Sequence, residues 1–172
     1  ENSKIIIGQM GGNPNGFTLI ELLVVVAIIG VLSAVGVIAF NGFMERAKIN
    51  STKSQHKTVV NYIQTEFQRC SLGEENLNYK KWISSGNEWS IIEHVVSCSA
   101  NADMHAQSLD DHFEAEGFAN PFGLGRAVER VNVDFDPTSP GFTHIFCLND
   151  RQCKITTHIH GGRFWKDMVT KE

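Results

Sequence analysis

Residues 22–40 run as LLVVVAIIGVLSAVGVIAF, nineteen positions without one charge. As a helix rising about 1.5 Å per residue, the run covers about 28 Å, the thickness of a bilayer's hydrocarbon core. A secretory signal peptide has a shorter apolar run and a small-residue cleavage site after it. Here the run is followed by Asn41, Gly42, Phe43, Met44, Glu45 and Arg46, so the segment is expected to be retained.

Glu21 stands at the head of this run, between Phe17, Thr18, Leu19 and Ile20 on one side and Leu22 and Leu23 on the other. An ionisable group at membrane depth costs about 2.5–3.5 kcal/mol and calls for a partner, unless it lies at headgroup level. Small residues recur at every third position, Ala27, Gly30, Ser33, Gly36 and Ala39. Each step of three drifts by about 60° around a helix, so the row winds and suits a helix that touches several neighbours. Ordinary membrane-helix composition also supplies such residues.

Beyond residue 41 the pattern turns amphipathic. Val60, Ile63, Phe67 and Cys70 lie three or four apart, and Gly73 offers a stop after Leu72. Residues 74–129 are expected to connect through short helices: Ser90 and Glu93 form a capping box ahead of Ile91, Ile92, Val95 and Val96. Ala102, Ala106, Leu109 and Phe113 space as the face of a further helix. Alternation predicts strands at 131–135, 142–148 and 154–160, the last two joined as a hairpin. A small antiparallel sheet packed on the long helix, an α+β fold, is the economical arrangement, because each element has one apolar face to bury.

The four cysteines, Cys70, Cys98, Cys147 and Cys153, form no C-x-x-C pair. Two disulfides in an oxidising compartment are expected over four buried thiols; three connectivities are open, and the shortest loops join Cys70 to Cys98 and Cys147 to Cys153. The net charge of −4 names no obligatory nucleic-acid partner. There is no G-x-S-x-G, P-loop or H-E-x-x-H, so no enzyme and no cofactor is expected. His158 and His160 share one strand face, expected to be solvated opposite Ile155, Thr157 and Ile159, and the acidic residues Asp110, Asp111, Glu114 and Glu116 are expected to line a solvated helix face.

Gly16 followed by FTLIELLVVVAIIGVLSAV resembles the class III signal and N-terminal helix of the type IV pilins. The resemblance covers about the first third of the chain. It implies a ladle-shaped α+β fold, cleavage between Gly16 and Phe17 by a prepilin peptidase, N-methylation of Phe17, and self-polymerisation with the pilus assembly machinery. The precursor would sit in the bacterial inner membrane and the product in an extracellular filament serving adhesion, motility or uptake. Residues 1–16 would be the leader, 17–40 the membrane and filament-core half of the helix, and 41–73 its amphipathic half. Residues 74–129 would be the connecting region and 130–172 the sheet region. Glu21, Gly30 and Gly36 are the candidate assembly residues. No proline interrupts GVIAF, so any bending rests on Gly30 and Gly36, each costing about 1 kcal/mol relative to alanine. Two alternatives share some of these features: a pseudopilin of a secretion or competence system, and a membrane-tethered metal-binding domain or enzyme using His158 and His160.

Overall fold

The computed structural model describes residues 16–86, 88–123 and 125–172. The remainder of the expected leader lies outside the described residues. The elements are α1 (Leu19–Ser71), β1 (Asn76–Ser85), β2 (Glu88–Ser97), α2 (Ala102–Ala115), β3 (Val128–Arg130), β4 (Thr143–Cys147), β5 (Gln152–His160) and β6 (Arg163–Thr170). They divide into two compact units, one ending at Gly42 and the other spanning Phe43–Glu172, and α1 contributes to both.

Helix α1 ends where the sequence places its stop. Glu74 N–H donates to the Arg69 carbonyl (3.2 Å) and Gly73 N–H to that of Cys70 (3.1 Å), the two bonds of a Schellman cap. Within the second unit α1 buries Thr52, His56, Val59, Ile63 and Phe67, a stripe at steps of three and four. Val59 is fully buried, whereas Val60 is only half-buried at the edge of the core. Helix α2 buries the expected Ala102, Ala106, Leu109 and Phe113, and Asn101 caps it by accepting from Met104 N–H.

Two sheets form. β1 and β2 pair alone as an antiparallel hairpin, and β3-β4-β5-β6 make a four-stranded sheet. Its β4–β5 and β5–β6 ladders are antiparallel; β3 adds a three-residue parallel ladder along β4. The core gathers Ile63 and Phe67 of α1, Leu77 and Tyr79 of the hairpin, Leu109 and Phe113 of α2, and Ile145 and Ile155 of the sheet.

The hairpin overturns the expectation of short helices at 74–97. Ile91, Ile92, Val95 and Val96 fit a helical spacing, but they are β-branched, a type that packs well on a pleated surface. Register joins them to β1, with Trp82 opposite Ile91 and Leu77 opposite Val96. The strand expected at 131–135 is also corrected: the ladder stops at Arg130. The chain then crosses the outer sheet face, where Asp134 meets Lys154, Phe135 packs edge-on against His144, and Asp136 meets Lys166. Residues on both faces of β5 are buried, and His158 lies buried against Phe164 and is not solvated. A further strand, β6, follows the turn at Gly161 and Gly162. Both have positive φ (63° and 71°), the conformation a two-residue hairpin turn requires.

Disulfides join Cys70 to Cys98 and Cys147 to Cys153. The first ties the last turn of α1 to the residue after β2; the second spans directly opposed positions of β4 and β5. His56 fixes α1 to the sheet. Its Nε2–H donates to Asp167 on β6 (2.7 Å), and its Nδ1 is 2.7 Å from the Thr157 hydroxyl on β5, which also bonds Thr143 (2.6 Å).

Candidate assembly helix

Every residue from Gly16 to Ala47 is exposed. Around most of the circumference of α1 these residues are Leu, Ile, Val, Phe or Ala, so the helix presents an apolar surface on all sides. A helix hydrophobic all round belongs in lipid or in the interior of a larger assembly. It is long and apolar enough to cross a membrane.

Gly16 and Phe17 precede the helix in non-helical backbone, with Phe17 86% exposed. The peptide bond between them is therefore open to approach from solvent. Gly30 and Gly36 lie inside unbroken helix, and a methyl group built on either would meet nothing within 4 Å. These two positions offer flat, uncovered patches of backbone where another helix can approach closely.

Glu21 is not left bare. Its Oε2 accepts from Thr18 N–H (2.8 Å) and from the Thr18 hydroxyl (2.7 Å), and Glu21 N–H donates back to Thr18 Oγ1 (3.3 Å). This is a capping box, with Thr18 as N-cap and Glu21 three residues on, and a carboxylate here also suits the positive end of the helix dipole. Sequence inspection missed Thr18 although T-L-I-E carries the S/T-x-x-E pattern in plain view. Its apolar neighbours Phe17, Leu19 and Ile20 read equally as the edge of a membrane-length run.

Other candidate chemistry resolves into packing. His158 is buried, and His160 is paired with Glu45 (3.0 Å) and stacked on Phe122. The two histidines do not converge on one open site. Among the described residues, no three His, Cys, Asp or Glu side chains group to hold a metal ion. The acidic face of α2 is paired, not merely solvated: Asp110 and Glu114 accept from Arg126 (2.8 and 2.6 Å), Asp111 lies 3.0 Å from Lys81, and Glu116 lies 2.6 Å from Lys80. Burial raises the Asp110 pKa against the opposing pull of Arg126. His105 is fully enclosed, and burial, reinforced by the Lys171 charge, lowers its pKa to about 4.

Residues 12–37 match the family described as the prokaryotic N-terminal methylation motif. The chain is 36% identical over 148 residues to the type IV major pilin protein PilE1 of Neisseria gonorrhoeae, covering 73% of this chain and 77% of that protein. It is 38% identical over 131 residues to prepilin peptidase-dependent protein D of Escherichia coli K12, covering 70% and 85% of the two chains. It is also 38% identical over 132 residues to the type IV major fimbrial protein FimA of Dichelobacter nodosus, 75% of each. No solved structure matches the chain. An apolar helix with a capped glutamate near its start, joined to a disulfide-bonded α+β unit, defines a helix-anchored subunit, and the chain belongs to the type IV pilins.

Proposed function

We propose that the chain is a structural, non-enzymatic subunit of an extracellular type IV pilus, held in the inner membrane as a precursor. A prepilin peptidase cleaves between Gly16 and Phe17, the new Phe17 amine is methylated, and the assembly machinery polymerises the subunit through α1. The single observation that carries this is the uninterrupted exposure of an apolar helix whose one acidic residue before Phe43 is Glu21.

Cleavage ahead of the apolar run releases an α-amine while keeping the helix. That amine is a cation, and Glu21 is a carboxylate four residues on. In a packed helical core with little water, the amine of one subunit and Glu21 of the next neutralise each other. A slipped register strands both charges, at a cost on the order of several kcal/mol per unpaired ion. The exposed backbone at Gly30 and Gly36 lets neighbouring helices come close enough for that pairing. The relatives' names, major pilin and fimbrial protein, favour a surface fibre for adhesion, motility or uptake over a secretion pseudopilin.

The test is electron microscopy of sheared surface fibres with N-terminal sequencing of their main protein. An N-methylated phenylalanine followed by Thr18 and Leu19 is expected. Glu21→Val is expected to leave the membrane-inserted pool intact and to lower fibre yield; a normal yield of fibres from that variant would reject the charge-pairing mechanism.

A further inference from the structure

The β1–β2 hairpin turns two indoles outward on one face. Trp82 is opposite Ile91 and Trp89 opposite Ser84, which places the two tryptophans diagonally across adjacent strands, 39% and 70% exposed. Neither is needed for the core, and a tryptophan left this exposed has unspent apolar area. Beside them α2 contributes Asp111 and Glu114, and the chain after it contributes Arg126. The five side chains line an open cleft of about 460 Å³, within the usual range of small-ligand sites.

Every charge in this cleft has a partner, with three carboxylates sharing two cations. Asp111 is paired with Lys81 (3.0 Å), and Arg126 is paired with Glu114 (2.6 Å) and Asp110 (2.8 Å). Such a lining repels an anion and, with each carboxylate already held by a cation, has only a weak pull on a cation. It does hold spare capacity for hydrogen bonds: each carboxylate has further lone pairs, and the guanidinium has five N–H donors, of which these two carboxylates take two. A matching ligand is uncharged, has a flat apolar face for the indoles, and carries a rim of groups that both donate and accept. A pyranose has that constitution, with axial C–H bonds on one face and hydroxyls around its edge.

We propose that the cleft between the hairpin and α2 is a binding site for a neutral saccharide, with Trp82 and Trp89 as the stacking platform and Asp111, Glu114 and Arg126 as hydroxyl partners. The site lies wholly in the Phe43–Glu172 unit and does not depend on how α1 assembles. Another copy of this chain is the rival occupant. It is disfavoured because docking a protein over the cleft would dehydrate three ion pairs at once.

The full chain in detergent micelles is titrated with the methyl glycosides of glucose, galactose, mannose and N-acetylglucosamine, with choline and glucose 6-phosphate as charged probes, using saturation-transfer NMR. At least one glycoside is expected to bind saturably, with transfer strongest to the C–H protons of one ring face. Trp89→Ala, which removes a mostly exposed side chain, is expected to weaken that binding by about tenfold. Trp82→Ala should weaken it at least as much, with thermal melting confirming that both variants fold. The proposal is overturned if no glycoside saturates, if choline or the sugar phosphate binds in preference to every neutral glycoside, or if Trp89→Ala binds like wild type. It is equally overturned if the tryptophan variants lose self-association while no sugar response exists in the parent chain.

Discussion

Removing the Cys70–Cys98 bridge, by the paired substitution Cys70→Ala with Cys98→Ala, tests how the β1–β2 hairpin is held to the end of α1. The bridge closes a loop with a sequence separation of 28. Loop-closure entropy then assigns it roughly 3.6 kcal/mol at 25 °C. The unit from Phe43 to Glu172 has an unfolding entropy of about 0.27 kcal/mol per degree at about 2.1 cal/mol/K per residue, so the melting temperature should fall by about 13 °C. Both cysteines are only half-buried, so the lost sulfur packing adds little.

The assay is thermal unfolding of the full chain in micelles, followed by near-ultraviolet circular dichroism, together with hydrogen exchange at the Gly73 and Glu74 amides. Those amides donate the cap bonds to Cys70 and Arg69, one turn from the bridge, and should exchange faster in the variant. A loss below about 1 kcal/mol, or a melting shift under about 4 °C, would refute the entropic account. It would mean that the hairpin is already confined in the denatured chain. The Cys147–Cys153 bridge, with a separation of 6, is assigned roughly 2.2 kcal/mol by the same relation.

Three further outcomes follow from the buried polar groups. Because the His105 pKa is lowered to about 4 in the folded chain, its contribution is fully present above the unfolded value near 6.5 and is lost as pH falls towards 4, roughly 3 kcal/mol in all. Denaturant midpoints at pH 7 and pH 4 should differ less in His105→Gln than in wild type. Gly141→Ala is expected to cost about 2 kcal/mol or more, since its φ is +87° and the new methyl would collide with Asn120 Oδ1, displacing a side chain that bonds Phe122 N–H and the Pro140 carbonyl. Urea unfolding measures it: if Asn120 moves aside freely, only the backbone strain of an alanine at positive φ remains, about 1 kcal/mol. His56→Ala should lose about 2–4 kcal/mol, because it opens a cavity between α1 and the sheet and leaves the Thr157 hydroxyl with Thr143 alone; equilibrium unfolding measures it.

The parts of the fold legible in the sequence are those where a period and a terminator agree. For α1 the uncharged run, the stripe through Ile63 and Phe67, and Gly73 at the end all point one way. For α2 the four apolar positions at steps of three and four are the ones buried. The hairpin was hidden because S-I-I-E satisfies a helix-start pattern and Ile91, Ile92, Val95 and Val96 satisfy a helical spacing. What decides it is tertiary: Lys80 N–H on the β1 edge donates to His112 on α2 (2.9 Å), and Cys98 is anchored to α1. β6 was hidden for a different reason. It alternates Phe164, Lys166 and Met168 with Trp165, Asp167 and Val169, so neither face looks apolar, and only Gly161-Gly162 advertised the turn. At the assembly helix, Gly16, Phe17 and Glu21 stand out by residue type, whereas Thr18 matters through two bonds that only the helix start creates.

The bonds between Thr18 and Glu21 give Glu21 two separable roles. As the N3 residue of a capping box it helps start α1, and a glutamine can do the same, since the box accepts either side chain. As the partner of a neighbour's Phe17 amine it must be charged, and a glutamine cannot replace it. Thr18→Ala gives the complementary perturbation: it deletes the hydroxyl, costs about 1 kcal/mol of helix capping, and keeps the carboxylate. If charge sets the register between subunits, fibre yield should fall together in Glu21→Gln and Glu21→Val and stay near wild type in Thr18→Ala. If helix initiation is what assembly needs, Glu21→Gln should assemble normally and Thr18→Ala should fail alongside Glu21→Val. The first pattern is expected, because helix α1 continues for many turns beyond the cap and a frayed first turn leaves its apolar surface intact, whereas an unpaired carboxylate in a dry core is penalised in every subunit added. Quantifying sheared fibres against the membrane-held pool for the three variants decides between them, and the second pattern would remove charge pairing from the mechanism.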